Sequence, residues 1–211
     1  MTSSSPVLQP PWKELSRQRE GATFGIWVFL ASEMLFFGSL LLLYTAYRTL
    51  HSEAFIAAGR ETDIWYGTVN TAVLMTSSLT MAVAAQAAEA DLRRLTLRCL
   101  AATVVLGLAF LVLKGFEYAE DIEKNLVPGQ SFALKEPAAQ IFFALYWIMT
   151  AVHAIHLSVG LGLVGRLLIF GGLRRVQLRD NPQVEVTALY WHLVDVIWII
   201  LYPLIYLMGR S

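Results

Sequence analysis

The sequence predicts an all-α fold, a polytopic membrane bundle of five transmembrane helices that forms one domain. Three observations predict it. Of the 211 residues, 56% are hydrophobic and only 15% charged, against roughly a quarter charged in ordinary soluble domains. The apolar residues fall in five long blocks separated by short polar connections. Each block can supply the roughly 20 residues that a helix rising about 1.5 Å per residue needs to cross a bilayer core.

Residues 1–23 are polar, contain Pro6, Pro10 and Pro11, and lack the apolar core of a cleavable signal peptide. They are expected to form a cytoplasmic N-terminal segment, with 24–208 as the single five-helix domain. The first helix is predicted over Phe24–Tyr47, the second over Ile64–Ala87 and the third over Leu97–Tyr118. The fourth runs over Ala138–Phe170 behind Pro137, a favoured first-turn residue. It is longer than the core and must tilt or project. The fifth covers Val184–Met208, with Pro203 marking a kink near its far end. The single cysteine, Cys99, can form neither an internal disulfide nor a zinc cluster and is read as a packing residue.

The net charge is zero, and the basic residues sit mostly at predicted helix ends. No extended basic patch exists, so no nucleic-acid partner is expected. Five crossings put the termini on opposite sides of the membrane. Ten basic residues lie on the N-terminal side: Lys13, Arg17, Arg19, Arg93, Arg94, Arg98, Arg166, Arg174, Arg175 and Arg179. Six lie on the other: Arg48, Arg60, Lys114, Lys124, Lys135 and Arg210. The positive-inside rule therefore predicts a cytoplasmic N terminus and a C terminus outside, with Arg48 and Lys114 long enough to snorkel. No internal repeat of fixed period is present, and no helix is interrupted by paired Gly and Pro. Both facts argue against a transporter built on broken helices.

An ionisable side chain at mid-bilayer costs about 2.5–3.5 kcal/mol on insertion scales, so each should face the bundle interior and have a partner. Glu33 lies roughly 14 Å along the first helix, near its midpoint, with no base beside it in its own helix. It is expected to stay neutral or to bond another helix, serving as a helix tie or in a proton or lipid-headgroup role. In the fifth helix Glu185, His192 and Asp195 fall at spacings of seven and three, on one face, flanked by Trp191 and Trp198. Helix-to-helix hydrogen bonding is the commoner use of such a stripe, and a proton-handling His192–Asp195 pair is the alternative.

His153 and His156 share a face of the fourth helix and invite a metal reading. A haem-copper centre uses more histidines than the four in this chain, one of which, His51, falls in a connection. A lone haem between histidines of two helices stays open. Asn70, Thr71, Thr76, Ser77, Ser78 and Thr80 in the second helix, and Ser158, Gly160, Gly162 and Gly165 in the fourth, allow close helix contact in lipid. Glu117, beside Tyr118 and followed by Glu120 and Asp121, is read as a solvated group at the far end of the third helix.

These unusual intramembrane groups fall in stretches that resemble subunit III of the haem-copper respiratory oxidases. The run Gly25–Glu33 is similar to that family's glutamate-bearing segment, Asn70-Thr71 with Thr76-Ser77-Ser78 to its next helix, and Glu117-Tyr118 to the one after. Thr150-x-x-His153-x-x-His156-x-x-x-Gly160 and Glu185-x-x-x-x-Tyr190-Trp191-His192-x-x-Asp195-x-x-Trp198 resemble the last two. The likeness runs from about residue 24 to 208. Larger members carry two further N-terminal helices, so the resemblance implies the short five-helix form; Ala151 and Ala154 stand where the family commonly has glycine.

The resemblance implies a non-catalytic subunit of a cytochrome c or quinol oxidase in the bacterial cytoplasmic (inner) membrane. Its expected partners are the catalytic subunit I, subunit II and phospholipids. Haem and copper are expected in the catalytic subunit and no cofactor in this chain. Glu33, Asn70, Glu117, His153, His156, Glu185, His192 and Asp195 would shape a lipid cleft or hold its walls. The short form also occurs as an accessory protein of nitric oxide reductase, whose flavour Leu113–Tyr118 and Leu201–Tyr206 share. A small proton-coupled transporter is the rival from another class. The charge asymmetry predicts that single cysteines placed in loops 88–96 and 171–183, in a Cys99-free background, resist a membrane-impermeant thiol reagent in intact cells. Labelling of both loops from outside would reverse the orientation.

Overall fold

The structure, a computed structural model, describes residues 15–134, 136–179 and 181–208, with side chains from Arg17 onward apart from Gln18 and Arg19. The expectations that rest on Pro6, Pro10, Pro11, Lys13, Lys135 and Arg210 lie outside these residues. The chain folds into α1 (Leu15–Leu50), α2 (Ser52–Glu61), α3 (Ile64–Glu89), α4 (Arg93–Glu123), α5 (Pro137–Gly172) and α6 (Pro182–Tyr202), continued by a π-helical turn over Pro203–Leu207. Five of these are long and apolar enough to cross a membrane, one for each predicted block. In lipid the backbone must satisfy its own hydrogen bonds, which favours uninterrupted helix over each block.

Two departures from the expected elements have simple causes. α1 begins nine residues before its apolar block, because Leu15–Ala22 holds no proline and its one glycine, Gly21, is tolerated once the block has nucleated the helix. The connection after the first crossing is not a loop: ten of its residues form α2, which buries Ala54, Phe55 and Ala58. The Phe55 ring sits between Tyr44 of α1 and Phe142 of α5, 5.5 Å from each. α2 thus packs at the end of the bundle where α1 finishes and α5 begins.

Helix ends are set locally. Asp63 and Asn181 cap α3 and α6 by accepting the Trp65 and Gln183 amide hydrogens at 2.8 and 3.0 Å. α3, α4 and α5 close alike, with Leu92, Leu126 and Arg175 donating to the carbonyls of Ala87, Asp121 and Phe170 across a left-handed Asp91, Asn125 or Arg174. These are six-to-one helix closures in which Asp and Asn tolerate the conformation best. At the end opposite α2, the Arg93 guanidinium donates to the Gly171 and Gly172 carbonyls at 2.7 and 2.9 Å, tying α4 to α5.

α6 is the most buried crossing. Its Trp191 indole fills a notch between Gly107 of α4 and Gly160 of α5, where an added Cβ would stand 2.9 and 3.1 Å from the ring. The indole N–H also donates to Ser77 Oγ of α3 at 3.2 Å. Two turns on, Trp198 donates to Thr71 Oγ1 at 3.1 Å, and Tyr202 and Tyr206 close over Gly67. These partners pair ascending positions of α6 with descending positions of α3, so the two helices run antiparallel. Overpacking a filled site costs about 1–3 kcal/mol. Gly107→Val is expected to lower stability by about that amount in thermal unfolding of the detergent-solubilised protein. Gly162→Ala, with nothing within 4 Å of the new Cβ, is expected to leave stability unchanged.

Candidate functional site

The polar side chains predicted to mark the site separate into three groups in different parts of the bundle. The first joins α1 to α5. Glu33 Oε2 lies 3.0 Å from His156 Nε2, with the side chains 17% and 19% exposed. The other ring nitrogen, Nδ1, is 2.9 Å from the Val152 carbonyl. A carbonyl only accepts, so Nδ1 carries hydrogen. The contact to Glu33 then holds one further hydrogen, on the imidazole as an ion pair or on the carboxyl as a neutral pair. Either way the pair is neutral overall and Glu33 has its partner. Phe37 packs edge-on against the His156 ring, Tyr190 of α6 donates to the His156 carbonyl at 3.0 Å, and Phe29 stacks on Tyr190.

The second group lies in α6 and its neighbours. Glu185 is exposed in the first turn of α6, where a negative charge complements the helix dipole. His192 is half-buried and its Nδ1 is 2.9 Å from Ser78 Oγ of α3, so its bond runs between helices and not to Asp195. Glu89, Glu185 and His192 line a cleft of about 380 Å³ where α3 ends and α6 begins. Asp195, deeper in, is 2% exposed and neither carboxyl oxygen makes a hydrogen bond among the described residues. Asn70 and His153 are as buried and, among the described residues, also lack hydrogen-bond partners. His153 instead lies against the Trp198 and Phe110 rings at 5.0 and 5.5 Å. The i, i+3 histidines therefore face different neighbours, because three residues leave them about 60° apart around the helix.

The third group overturns a reading of the sequence. Glu117 is not a solvated end group: it is 1% exposed, Lys114 is 2% and Asp121 4%. Lys114 does not snorkel. Its ammonium lies 3.0 Å from Glu117 Oε2 and donates to the Tyr206 and Tyr146 hydroxyls at 2.7 and 3.1 Å. Rings of Tyr118, Tyr146, Trp198 and Tyr206 surround it at 4.7–5.6 Å, within the range of cation–π attraction. The tyrosine hydroxyls in turn reach Glu117 and Asp121. The sequence carried one signal for this: opposite charges three apart inside an apolar helix. Tyr146 and Tyr206, from α5 and the π turn, carried none.

Among the described residues no group of three or more His, Cys, Asp and Glu is placed to hold a metal ion. The arrangement ties helices together through a few charged or hydrogen-bonded pairs. For Glu33 and His156, in direct contact, a double-mutant cycle with Glu33→Ala and His156→Ala is expected to give a coupling of about 0.5–3 kcal/mol in unfolding measured in detergent. A coupling near zero would mean that the contact does not hold α1 in place.

A family model described as cytochrome c oxidase subunit III matches residues 14–210. Among curated relatives, a cytochrome c oxidase subunit 3 of Thermostichus vulcanus is 31% identical over 88% of this chain and 87% of its own. One of Alkalihalophilus pseudofirmus is 32% identical over 88% and 85%. A probable quinol oxidase subunit 3 of Staphylococcus haemolyticus is 27% identical over 92% and 93%. With the five membrane-length helices and the polar pattern of α1, α5 and α6 in place, the chain belongs to the cytochrome c oxidase subunit III family.

Proposed function

We propose that this protein is the subunit III of a bacterial respiratory terminal oxidase, assembled with a catalytic subunit I and a subunit II, and contributes structure where its partners contribute redox chemistry. The observation that carries this reading is the family match across nearly the whole chain. The dispersal of the histidines agrees with it: His51 starts α2, His153 stacks on Trp198, and His156 and His192 bond Glu33 and Ser78. Haem and copper belong, on this reading, to the catalytic subunit.

The contribution we assign is lipid order and steady proton supply to the partner. Structural phospholipid would lie against α1, whose large apolar side chains from Phe24 to Leu50 are mostly exposed, with the accessible Glu33–His156 pair beneath it. Asn70, Glu117, His153, Glu185, His192 and Asp195 would hold the walls. The α6 end carrying Glu185 would face the cytoplasm, following the charge asymmetry.

The full chain is expected to co-purify in detergent with a subunit that contains haem and copper. Its deletion should leave that partner's haem spectrum intact while turnover declines faster during sustained activity, more so after delipidation. Glu33→Ala and His192→Ala should each reproduce part of the decline. Stoichiometric haem in the purified chain, or solute transport by it in liposomes, would defeat the proposal. Co-purification with a nitric oxide reductase would move the same subunit to that enzyme.

A further inference from the structure

At the end of the bundle where α2 packs, the hydrogens around the Lys114 ammonium can be counted. Tyr206 has one, and its oxygen is 2.5 Å from Glu117 Oε1, a separation that requires a hydrogen between the two oxygens. Tyr146 also has one, yet its oxygen lies 2.9 Å from Glu117 Oε1 and 2.8 Å from Asp121 Oδ2. Lys114 directs its donors at the two hydroxyls and at Glu117 Oε2. If both carboxyls were ionised, one of the Tyr146 contacts would join two acceptors with no hydrogen between them. In a buried site that contact is repulsive.

One added proton removes the conflict. Carried by Asp121, it is donated to Tyr146, whose own hydrogen goes to Glu117. Carried by Glu117, it is donated to Tyr146, whose hydrogen then goes to Asp121. The two arrangements differ only by the shift of two hydrogens along Asp121–Tyr146–Glu117. Charge closes as well: one ammonium faces one carboxylate instead of two, in a place where uncompensated charge is costly.

We propose that Lys114, Glu117, Asp121, Tyr146 and Tyr206 form a binding site for one exchangeable proton, shared by Glu117 and Asp121 through the Tyr146 hydroxyl. Asp121, two residues from the end of α4 and the most accessible of the three charged members, is its port. The surrounding ionisable groups are otherwise engaged. On α4, Tyr118 bonds Thr150 of α5 and Lys124 pairs with Glu120, which also accepts from Tyr66 of α3. On α5, His153 lies further in against Trp198, the ring that α6 presents to the ammonium. The site does not rest on the lipid and proton-supply reading above.

Infrared difference spectra of the full chain in phospholipid vesicles at neutral pH test it. Wild type minus Asp121→Asn, and wild type minus Glu117→Gln, should each show loss of one protonated-carboxyl C=O band, because either substitution leaves a single carboxylate opposite Lys114. The band should shift when the vesicles are equilibrated in D2O. Should Glu117→Gln fail to assemble, Asp121→Asn alone decides, since the shared proton must leave with either partner. Loss of only an ionised-carboxylate signal in a folded variant, or a band that ignores D2O, overturns the site.

Discussion

The seat of the Trp191 indole constrains more of this bundle than any other contact. Two glycines on different helices leave a notch, the ring fills it, and its one N–H reaches a third helix. Helices in lipid gain little from hiding apolar surface, since the solvent is as apolar as they are, so association rests on close packing and hydrogen bonds between helices. A large rigid ring opposite two glycines supplies the first, and Ser77 the second. Because Trp191, Trp198 and Tyr202 repeat the arrangement down α6, the helix registers against α3 at several depths at once.

Polar groups in the interior follow from the same physics. Each ionisable side chain in a low-dielectric medium is costly alone and strongly bound when paired. The Glu33–His156 and Lys114–Glu117 pairs satisfy that rule by opposite routes. The first joins residues 123 positions apart on the rim of the bundle, and the second a single turn of α4 roofed by aromatic rings. Asn70, His153 and Asp195 keep hydrogen-bonding capacity that the described residues do not meet, at roughly 1–3 kcal/mol each.

Residue by residue, legibility in the sequence tracks the range of the interaction. The five crossings were readable because block length and hydropathy are local properties. α2 was not, since ten residues of mixed character such as Ser52–Glu61 fail a test built for spans, although apolar Ala54, Phe55 and Ala58 fall at helical spacing. Spacing placed Glu185, His192 and Asp195 on one side of α6 but could not rank their depth, and they range from exposed to fully buried. The sequence marks Glu33 as needing a partner; that the partner is His156 depends on how α1 packs against α5. The sequence predicts a kink at Pro203. There the proline opens a π turn, closed by the Met208 amide donating to the Pro203 carbonyl at 3.1 Å.

That turn also frees a carbonyl: Leu204 accepts from Tyr44 of α1 at 2.7 Å, and close by Arg48 donates to the Met208 carbonyl at 3.1 Å. These two attachments of α1 are thus to residues made long after it. At synthesis rates of roughly 5–20 residues per second, the 160 positions between Tyr44 and Leu204 correspond to about 8–30 seconds. Glu33 stands without His156 for 123 positions of synthesis, and the far end, where Phe55 of α2 meets Tyr44 early, gains its partners beyond α6 only near the end. The first of the five crossings described thus receives several of its fastenings late, and its apolar flank must be compatible with lipid until much of the chain has been made.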